Sequence, residues 1–234
     1  PLIRTWGENF ADRYPNHAAD LTKWIIEICK DALPFVRENC QEAPGIPSMD
    51  ANLVQSFLRM VTAFITEAHK IIPKREENRP VKSEEDENKL VKAYCVYSAI
   101  WSLGANLHEN SRKKFVDFLT PKIKKVCDWV PVDGSLYMNY IDDDTAAFKG
   151  LAQLVPEFQY TLDEAFFNIL VPTAEMVGQR LLLENVMRAG FHMLFSGETG
   201  VGKSVGIASF LNTAGPGFST STANFSAQTS TFNV

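Results

Sequence analysis

Eight consecutive residues have the types and the spacing of a phosphate-binding loop. The pattern G-x-x-x-x-G-K-[ST] is matched by Gly197-Glu198-Thr199-Gly200-Val201-Gly202-Lys203-Ser204. Glycines allow the tight backbone turns that bring N–H groups onto phosphate oxygens. In such a loop Lys203 would reach the β- and γ-phosphates, and Ser204 would hold Mg²⁺. The run therefore predicts binding of ATP or ADP together with Mg²⁺.

The residues on either side of this loop have the character that phosphate binding requires. Residues 191–195 form a short apolar run of the kind found in buried strands, and residues 204–212 have the pattern of a helix. A strand, a glycine loop and a helix in this order place the partial positive charge of the helix N-terminus at the phosphates. The alternative is a glycine turn before a helix that matches by chance, which the several fixed positions make rare.

Composition argues against several other kinds of function. The 234 residues are 45% hydrophobic and 22% charged, with a formal net charge of -5, so no basic signature for nucleic acid is present. No apolar run approaches the roughly 20 residues of a membrane span. The cysteines are widely spaced and the histidines form no ligand cluster, which favours a reducing cytosol over disulfides or a metal site. These residues are Cys29, Cys40, Cys95, Cys127, His17, His69, His108 and His192.

The sequence lacks part of what ATP hydrolysis needs. It has no initiator Met, and both ends lead us to expect a segment of a longer protein. A P-loop ATPase also needs acidic residues after an apolar strand, which hold Mg²⁺ and position the water. Asp and Glu are absent from residues 205–234. We therefore expect no catalytic residue in this segment, and no ATP hydrolysis by the segment alone.

The first half has the periodicity of a helical domain. Apolar residues recur at spacings of three and four through residues 21–36, 53–65 and 90–103. The apolar density of the last of these runs predicts a helix buried on more than one side. Residues 1–16 are interpreted as an entry segment that packs through aromatic anchors. These anchors are Trp6, Phe10 and Tyr14.

Prolines and capping residues predict where these helices bend, begin and end. Pro34 is expected to kink or divide the first helix. A shorter helix is expected to begin at Asn110 or Ser111 and to end at Pro121. Ser83 with Asp86 resembles a capping box in which Asp replaces the usual Glu.

Two acidic runs have both a functional and an ordinary interpretation. Residues 84–87 carry four acidic side chains, which suggest either an interaction patch or the acidic first turn of a helix. Asp142, Asp143 and Asp144 suggest either a metal site or a solvated turn. The ordinary interpretation is preferred in both cases, since no other ligands accompany the aspartates.

The second half predicts the beginning of an α/β nucleotide-binding domain. Thr173 can cap a helix whose last turn holds Arg188 and whose end is marked by Gly190. Residues 220–226 alternate loosely, like a second strand. The fold class is therefore mixed α and α/β, in the arrangement of a helical AAA+ lid before a P-loop core. We expect a lid at 1–125, a connection at 126–160 and the first part of the core at 161–234.

Three stretches resemble the motor sequence of dynein heavy chains. Trp101-Ser-Leu-Gly-Ala-Asn-Leu-His-Glu-Asn-Ser-Arg-Lys-Lys-Phe115 is similar to a segment late in the second AAA+ module of that family. Leu170-Val171-Pro172-Thr173, followed by the helix and the glycine loop, resembles the entry to the third module. Asn224-Phe-Ser-Ala-Gln-Thr-Ser230 resembles the strand after its first helix. The loop residues Glu198-Thr-Gly-Val201 resemble those of axonemal members of the family more than those of cytoplasmic members.

The resemblance implies a piece of a six-module ATPase ring that moves along microtubules. The main hydrolysis site of the family lies in the first module, and the third-module site resembled here regulates the motor cycle. The implied partners are neighbouring AAA+ modules, the microtubule through elements elsewhere, and dynein intermediate and light chains, with no nucleic acid or membrane. The implied location is the cytoplasm and cytoskeleton, in the axoneme of a cilium or flagellum.

The resemblance also suggests residue roles, each with an alternative. Residues 170–173 would border the adenine, although Pro172 and Thr173 are equally those of a helix start. Arg59 would be a nucleotide sensor or, by the ordinary interpretation, a surface arginine. For the whole site, the alternatives are a structural nucleotide site that does not hydrolyse, or a segment of another giant AAA+ ring such as midasin.

Overall fold

A computed structural model describes residues 1–43, 47–75, 83–125, 136–158, 170–213 and 219–226, with side chains up to residue 65 in the second range. Cys127, the side chain of His69 and residues 227–230 lie outside this description. The described helices are α1 (Leu2–Ala11), α2 (Pro15–Asn39), α3 (Asp50–Arg75), α4 (Glu84–Gly104), α5 (Glu109–Ile123), α6 (Ala174–Arg188) and α7 (Lys203–Thr213). Strands β1 (Asn139–Asp142) and β2 (Ala147–Gly150) form an antiparallel hairpin, with Asn139 opposite Gly150.

Helix α4 lies at the centre of the helical half. It packs against α2, α3 and α5 and is buried on nearly all sides after its first two turns, as its apolar density predicts. The acidic run 84–87 forms its first turn, where negative charge is favourable. The Ser83 hydroxyl accepts the Asp86 N–H at 3.1 Å, which confirms the predicted cap. The Asp86 carboxylate accepts the Ser83 hydroxyl at 2.7 Å, instead of reaching the Ser83 backbone as in a capping box.

The N-terminal segment, interpreted as an entry segment with aromatic anchors, is helical over most of its length. Residues Leu2–Ala11 form α1, which packs against α2 and α3. The predicted anchors are confirmed, because Trp6 stacks on Phe10 and Phe10 stacks on Tyr14. The Trp6 indole N–H also donates to Thr62 Oγ1 at 2.9 Å. The Thr62 contact joins residues 56 positions apart in the chain, so local periodicity could not reveal it.

Pro34 and Pro121 both lie inside continuous helices, so the predicted division at Pro34 and the predicted helix end at Pro121 are wrong, while the kink at Pro34 stays a prediction. Helix α2 runs through Pro34 to Asn39 without dividing. Helix α5 begins at Glu109 without a side-chain cap and continues past Pro121 to Ile123. Each proline removes one helical hydrogen bond. Burial of the final turns compensates, since Val36 and Ile123 are buried.

Two of the three adjacent aspartates hold the hairpin in place, whereas Asp144 is exposed. The Asp142 carboxylate pairs with Lys149 across the hairpin at 2.6 Å and accepts the Thr145 hydroxyl at 2.5 Å. These hydrogen bonds hold the pKa of the Asp142 carboxyl below its usual value. Asp143 accepts the hydroxyl of the buried Tyr94, which fixes the hairpin to α4. The predicted turn is present, and its solvated character holds for the exposed Asp144 but not for the partly buried Asp142 and Asp143. The described residues hold no cluster of metal ligands.

The second half docks on the first through α6. This helix contacts α3 and α7 as well as the 3₁₀ helices Leu136–Met138 and Leu151–Leu154 beside the hairpin. Leu182 of α6 joins the main hydrophobic core. The predicted strands at 191–195 and 220–226 belong to no sheet formed by the described residues, so these two strand predictions are not confirmed. Among the described helices, none is long and apolar enough to cross a membrane.

Candidate functional site

The phosphate-binding motif forms a tight loop that leads directly into α7. Gly200 has φ +87° and Gly202 has φ +81°, a left-handed conformation that glycine adopts without strain. Helix α7 begins at Lys203, so its unpaired N–H groups lie at the end of the loop. The predicted order of loop and helix is present, although the preceding residues 191–198 are not in a sheet.

Lys203 folds back over the loop. Its Nζ donates to the carbonyl oxygen of Gly197 at 2.8 Å and to that of Glu198. The side chain passes the Gly197 backbone so closely that a Cβ there would meet Lys203 Cδ at 3.8 Å. The ammonium group is thereby held within the curve of the loop, where phosphate oxygens would find both a full positive charge and backbone N–H groups.

The other loop side chains are open to solvent. Glu198, Thr199, Val201 and Ser204 are all exposed. The Ser204 hydroxyl is at the first turn of α7, next to Lys203. Its oxygen is the type of ligand that Mg²⁺ accepts, and Mg²⁺ bound to nucleotides takes its remaining ligands from phosphates and water. The residue types present therefore fit Mg²⁺ with nucleotide.

A cleft of about 330 Å³ adjoins the loop. Lys203, Gly206 and Ile207 form its α7 wall. Met176, Val177 and Arg180 of α6 face them, and Phe195 contributes from the segment before the loop. Most of the lining is apolar, with cations at Lys203 and Arg180. The cleft thus combines an apolar interior with a positively charged margin, a combination typical of nucleotide pockets.

The residues predicted to border adenine divide into two pairs. Leu170 and Pro172 line the cleft together with Lys203. Val171 is 54% exposed and does not line it. Thr173 is the N-cap of α6, and its hydroxyl accepts the Met176 N–H at 3.3 Å, which confirms the helix-start interpretation for this residue. The end of α6 is also as predicted: Gly190 has φ +80°, and Gly190 and Phe191 N–H close the helix on Met187 and Val186.

Sequence reasoning assigned only Leu170, Pro172 and Lys203 of the lining residues to the site, and three of those that it missed are informative. Leu154 and Pro156 follow the hairpin, and Arg180 lies on α6. The Arg180 guanidinium donates to Thr213 Oγ1 at 2.8 Å, which connects α6 to the end of α7. No local sequence pattern predicts these positions, because only the tertiary structure brings residues 154, 180 and 203 to the same cleft.

Several other residues singled out from the sequence lie outside the cleft. Arg59 is exposed on α3 and does not line the cleft. His17 is buried and pairs with Glu87 at 2.9 Å, which joins α2 to α4. Cys29, Cys40 and Cys95 form no disulfide within the described residues, and burial raises the pKa of Cys29 to about 12. A thiol with this pKa is unreactive near neutrality.

A helical half followed by a P-loop motif and a helix is the arrangement of AAA-type proteins. Residues 19–152 match the model of the dynein heavy chain AAA lid domain, and residues 158–234 match that of the P-loop containing dynein motor region. The chain therefore belongs to the dynein heavy chain family, which decides between dynein and another giant AAA+ ring.

The chain is similar to axonemal and flagellar dyneins over nearly its whole length. It is 28% identical to dynein axonemal heavy chain 6 of Homo sapiens over 98% of this chain. It is 26% identical to the dynein-1-alpha heavy chain of the flagellar inner arm I1 complex of Chlamydomonas reinhardtii over 100% of this chain. The chain spans 5% of the length of either relative.

Proposed function

We propose that residues 197–204 bind ATP or ADP with Mg²⁺ as a regulatory nucleotide site in the AAA+ ring of a microtubule motor. One observation carries this proposal: Lys203 is held inside a left-handed glycine loop, at the start of α7 and beside an apolar cleft. Lys203 would neutralise the β- and γ-phosphates, and Ser204 would ligate Mg²⁺. Leu170 and Pro172 would border the adenine, with Val171 and Thr173 supporting their position.

The proposed organisation is a lid at 1–125, a connection at 126–160 and the first part of the next core at 161–234. Neighbouring AAA+ modules of the same chain would be the direct partners. Intermediate and light chains and the microtubule would be contacted through other parts of the motor. The relatives are named as axonemal and flagellar proteins, which supports a location in the axoneme of a cilium or flagellum.

Substitution Lys203→Ala tests the proposed site. Removing the only cation held within the loop should weaken nucleotide binding by at least tenfold, because charge-assisted contacts to phosphate are worth about 1.5–3 kcal/mol. The readout is photolabelling by 8-azido-ATP, mapped to the peptides of this chain, in the motor protein that carries this sequence. The exposed, distant Lys113→Ala serves as the control. Equal labelling in Lys203→Ala and the control would refute the assignment.

A second candidate is a structural site that holds nucleotide without turnover. It is favoured by the lack of any carboxylate among the described residues that line the cleft. Either candidate predicts that the 234-residue chain alone releases no phosphate from ATP. Steady phosphate release by the purified chain, abolished by Lys203→Ala, would contradict both.

A further inference from the structure

The wall of the cleft that sequence reasoning missed comes from the lid side of the molecule. Leu154 ends the second 3₁₀ helix, which continues directly from β2 of the hairpin, and Pro156 follows it. We propose that this segment is the third wall of the base pocket, so that the connection between the preceding lid and the core directly contributes to nucleotide binding. The inference rests on the proposed function of residues 197–204 and adds a subsite to it.

A close contact with α6 fixes the position of this wall. Leu151, in the same 3₁₀ helix as Leu154, is only 1% exposed. A Cβ on Gly178 of α6 would lie 2.6 Å from Leu151 Cδ1, so only glycine leaves room for this approach without displacement. The 3₁₀ helix therefore lies directly on α6, and the chain leaves it along the mouth of the cleft.

The chemistry of the wall suits a nucleotide base. Leu154 is 40% exposed, although it is large and apolar. Across the cleft, Gly206 and Ile207 offer a second apolar surface, while Lys203 lies where the phosphates would bind. A purine base inserted between these surfaces would cover apolar area on both faces, and the volume of about 330 Å³ is within the range of small-molecule pockets. The occupant we infer is thus the adenine of the nucleotide held by the loop.

The consequence is an energetic link between lid and nucleotide. If Leu154 contacts the base, any change that moves the hairpin against α6 changes nucleotide affinity. By reciprocity, nucleotide binding favours the hairpin position that is seen here. The link from the hairpin to α6 runs through β2, then the 3₁₀ helix, then the contact between Leu151 and Gly178.

Photolabelling with 8-azido-ATP locates the base directly. The reagent is used on the motor protein that carries this sequence, and digestion after glutamate separates the two candidate walls. Glu157 and Glu164 lie between residues 154–156 and residues 170–172, so each wall falls in its own peptide. We expect label in the peptide that contains residues 154–156. Label confined to residues 170–213 would overturn this inference and leave the proposed function intact, whereas no label anywhere in this chain would refute the proposed function.

A matched pair of variants tests the contribution of Leu154. Leu154→Ser removes the apolar wall, and Phe158→Ser removes a similarly exposed apolar residue, at 42%, that does not line the cleft. Protection of the peptide with residues 170–172 from hydrogen exchange is measured as ATP is added and, in a separate titration, as inorganic tripolyphosphate is added. Leu154→Ser should raise the ATP needed for protection about fivefold to tenfold and leave tripolyphosphate unchanged. ATP protection identical in the two variants, or equal weakening of both ligands by Leu154→Ser, would overturn the inference.

Discussion

At the scale of single residues, the loop depends on backbone conformation as much as on side chains. Gly200 and Gly202 are left-handed, and nothing lies within 4 Å of a Cβ built on either. The requirement for glycine there is therefore conformational rather than a matter of space. Lys203 then reaches back to the Gly197 carbonyl because the chain between them turns so tightly.

Substitution Gly202→Ala should weaken nucleotide binding without creating a clash. A left-handed alanine costs about 1–2 kcal/mol, which corresponds to roughly fivefold to thirtyfold in affinity if binding requires this conformation. Gly190→Ala is the matched control, since Gly190 has almost the same φ, +80°, and equal free space but caps α6. Both variants should lose similar stability in thermal unfolding, and only Gly202→Ala should lose 8-azido-ATP labelling. Equal labelling of the two variants would contradict this prediction, because it would show that the loop binds nucleotide with a left-handed alanine at position 202.

At the scale of elements, buried tyrosines show how the hairpin is held on α4. Tyr94 and Tyr97 are both buried in the same helix. The Tyr94 hydroxyl donates to Asp143 in the turn of the hairpin. Burial first, and then the negative charge of Asp143, raise the pKa of Tyr94, so that it remains a donor at any ordinary pH. The Tyr97 hydroxyl makes no hydrogen bond to the described residues.

These two tyrosines predict opposite effects of removing a hydroxyl group. Tyr94→Phe should destabilise the protein by about 1–2 kcal/mol, since it removes a hydrogen bond to a charged group. Tyr97→Phe should be neutral or stabilising, because it removes a buried hydroxyl that has no described partner. Chemical denaturation of the two variants measures the difference. A larger loss in Tyr97→Phe than in Tyr94→Phe would contradict this account of the hairpin.

At the scale of the whole molecule, α6 connects the helical half to the nucleotide cleft. Leu182 belongs to the main core, while Met176, Val177 and Arg180 line the cleft from the same helix. Gly178 receives the 3₁₀ helix beside the hairpin. One helix therefore contacts the lid, the hairpin and the phosphate-binding half. A movement of α6 would therefore change its contacts with all three parts.

Substitution Leu182→Ala should uncouple the two halves. Truncating a buried leucine costs about 2–5 kcal/mol, and here the lost contacts join α6 to the helical core. We expect a lower melting temperature and a separate, earlier transition for the P-loop half in hydrogen exchange. Leu181→Ala, at a partly buried neighbouring position, should cost less. An equal loss in both variants with a single transition would show that α6 does not carry the connection.

Local chemistry explains what the sequence by itself determined. The glycine loop, the caps at Ser83 and Thr173 and the glycine end of α6 depend on hydrogen bonds and φ angles within a few residues. Apolar periodicity likewise predicted the central helix and the division into a helical and a mixed half. The family resemblance rested on such short runs, and the family models bear it out.

Only the tertiary structure decided the features that depend on contacts between distant residues. Helix α1 packs through Trp6 on Thr62, and α5 passes Pro121 because Ile123 is buried. Asp143 binds Tyr94, 49 positions away, instead of solvent or a metal. Leu154 reaches the cleft because the chain folds over α6. Burial and pairing at such separations outweigh local preference, and no short pattern in the sequence records them.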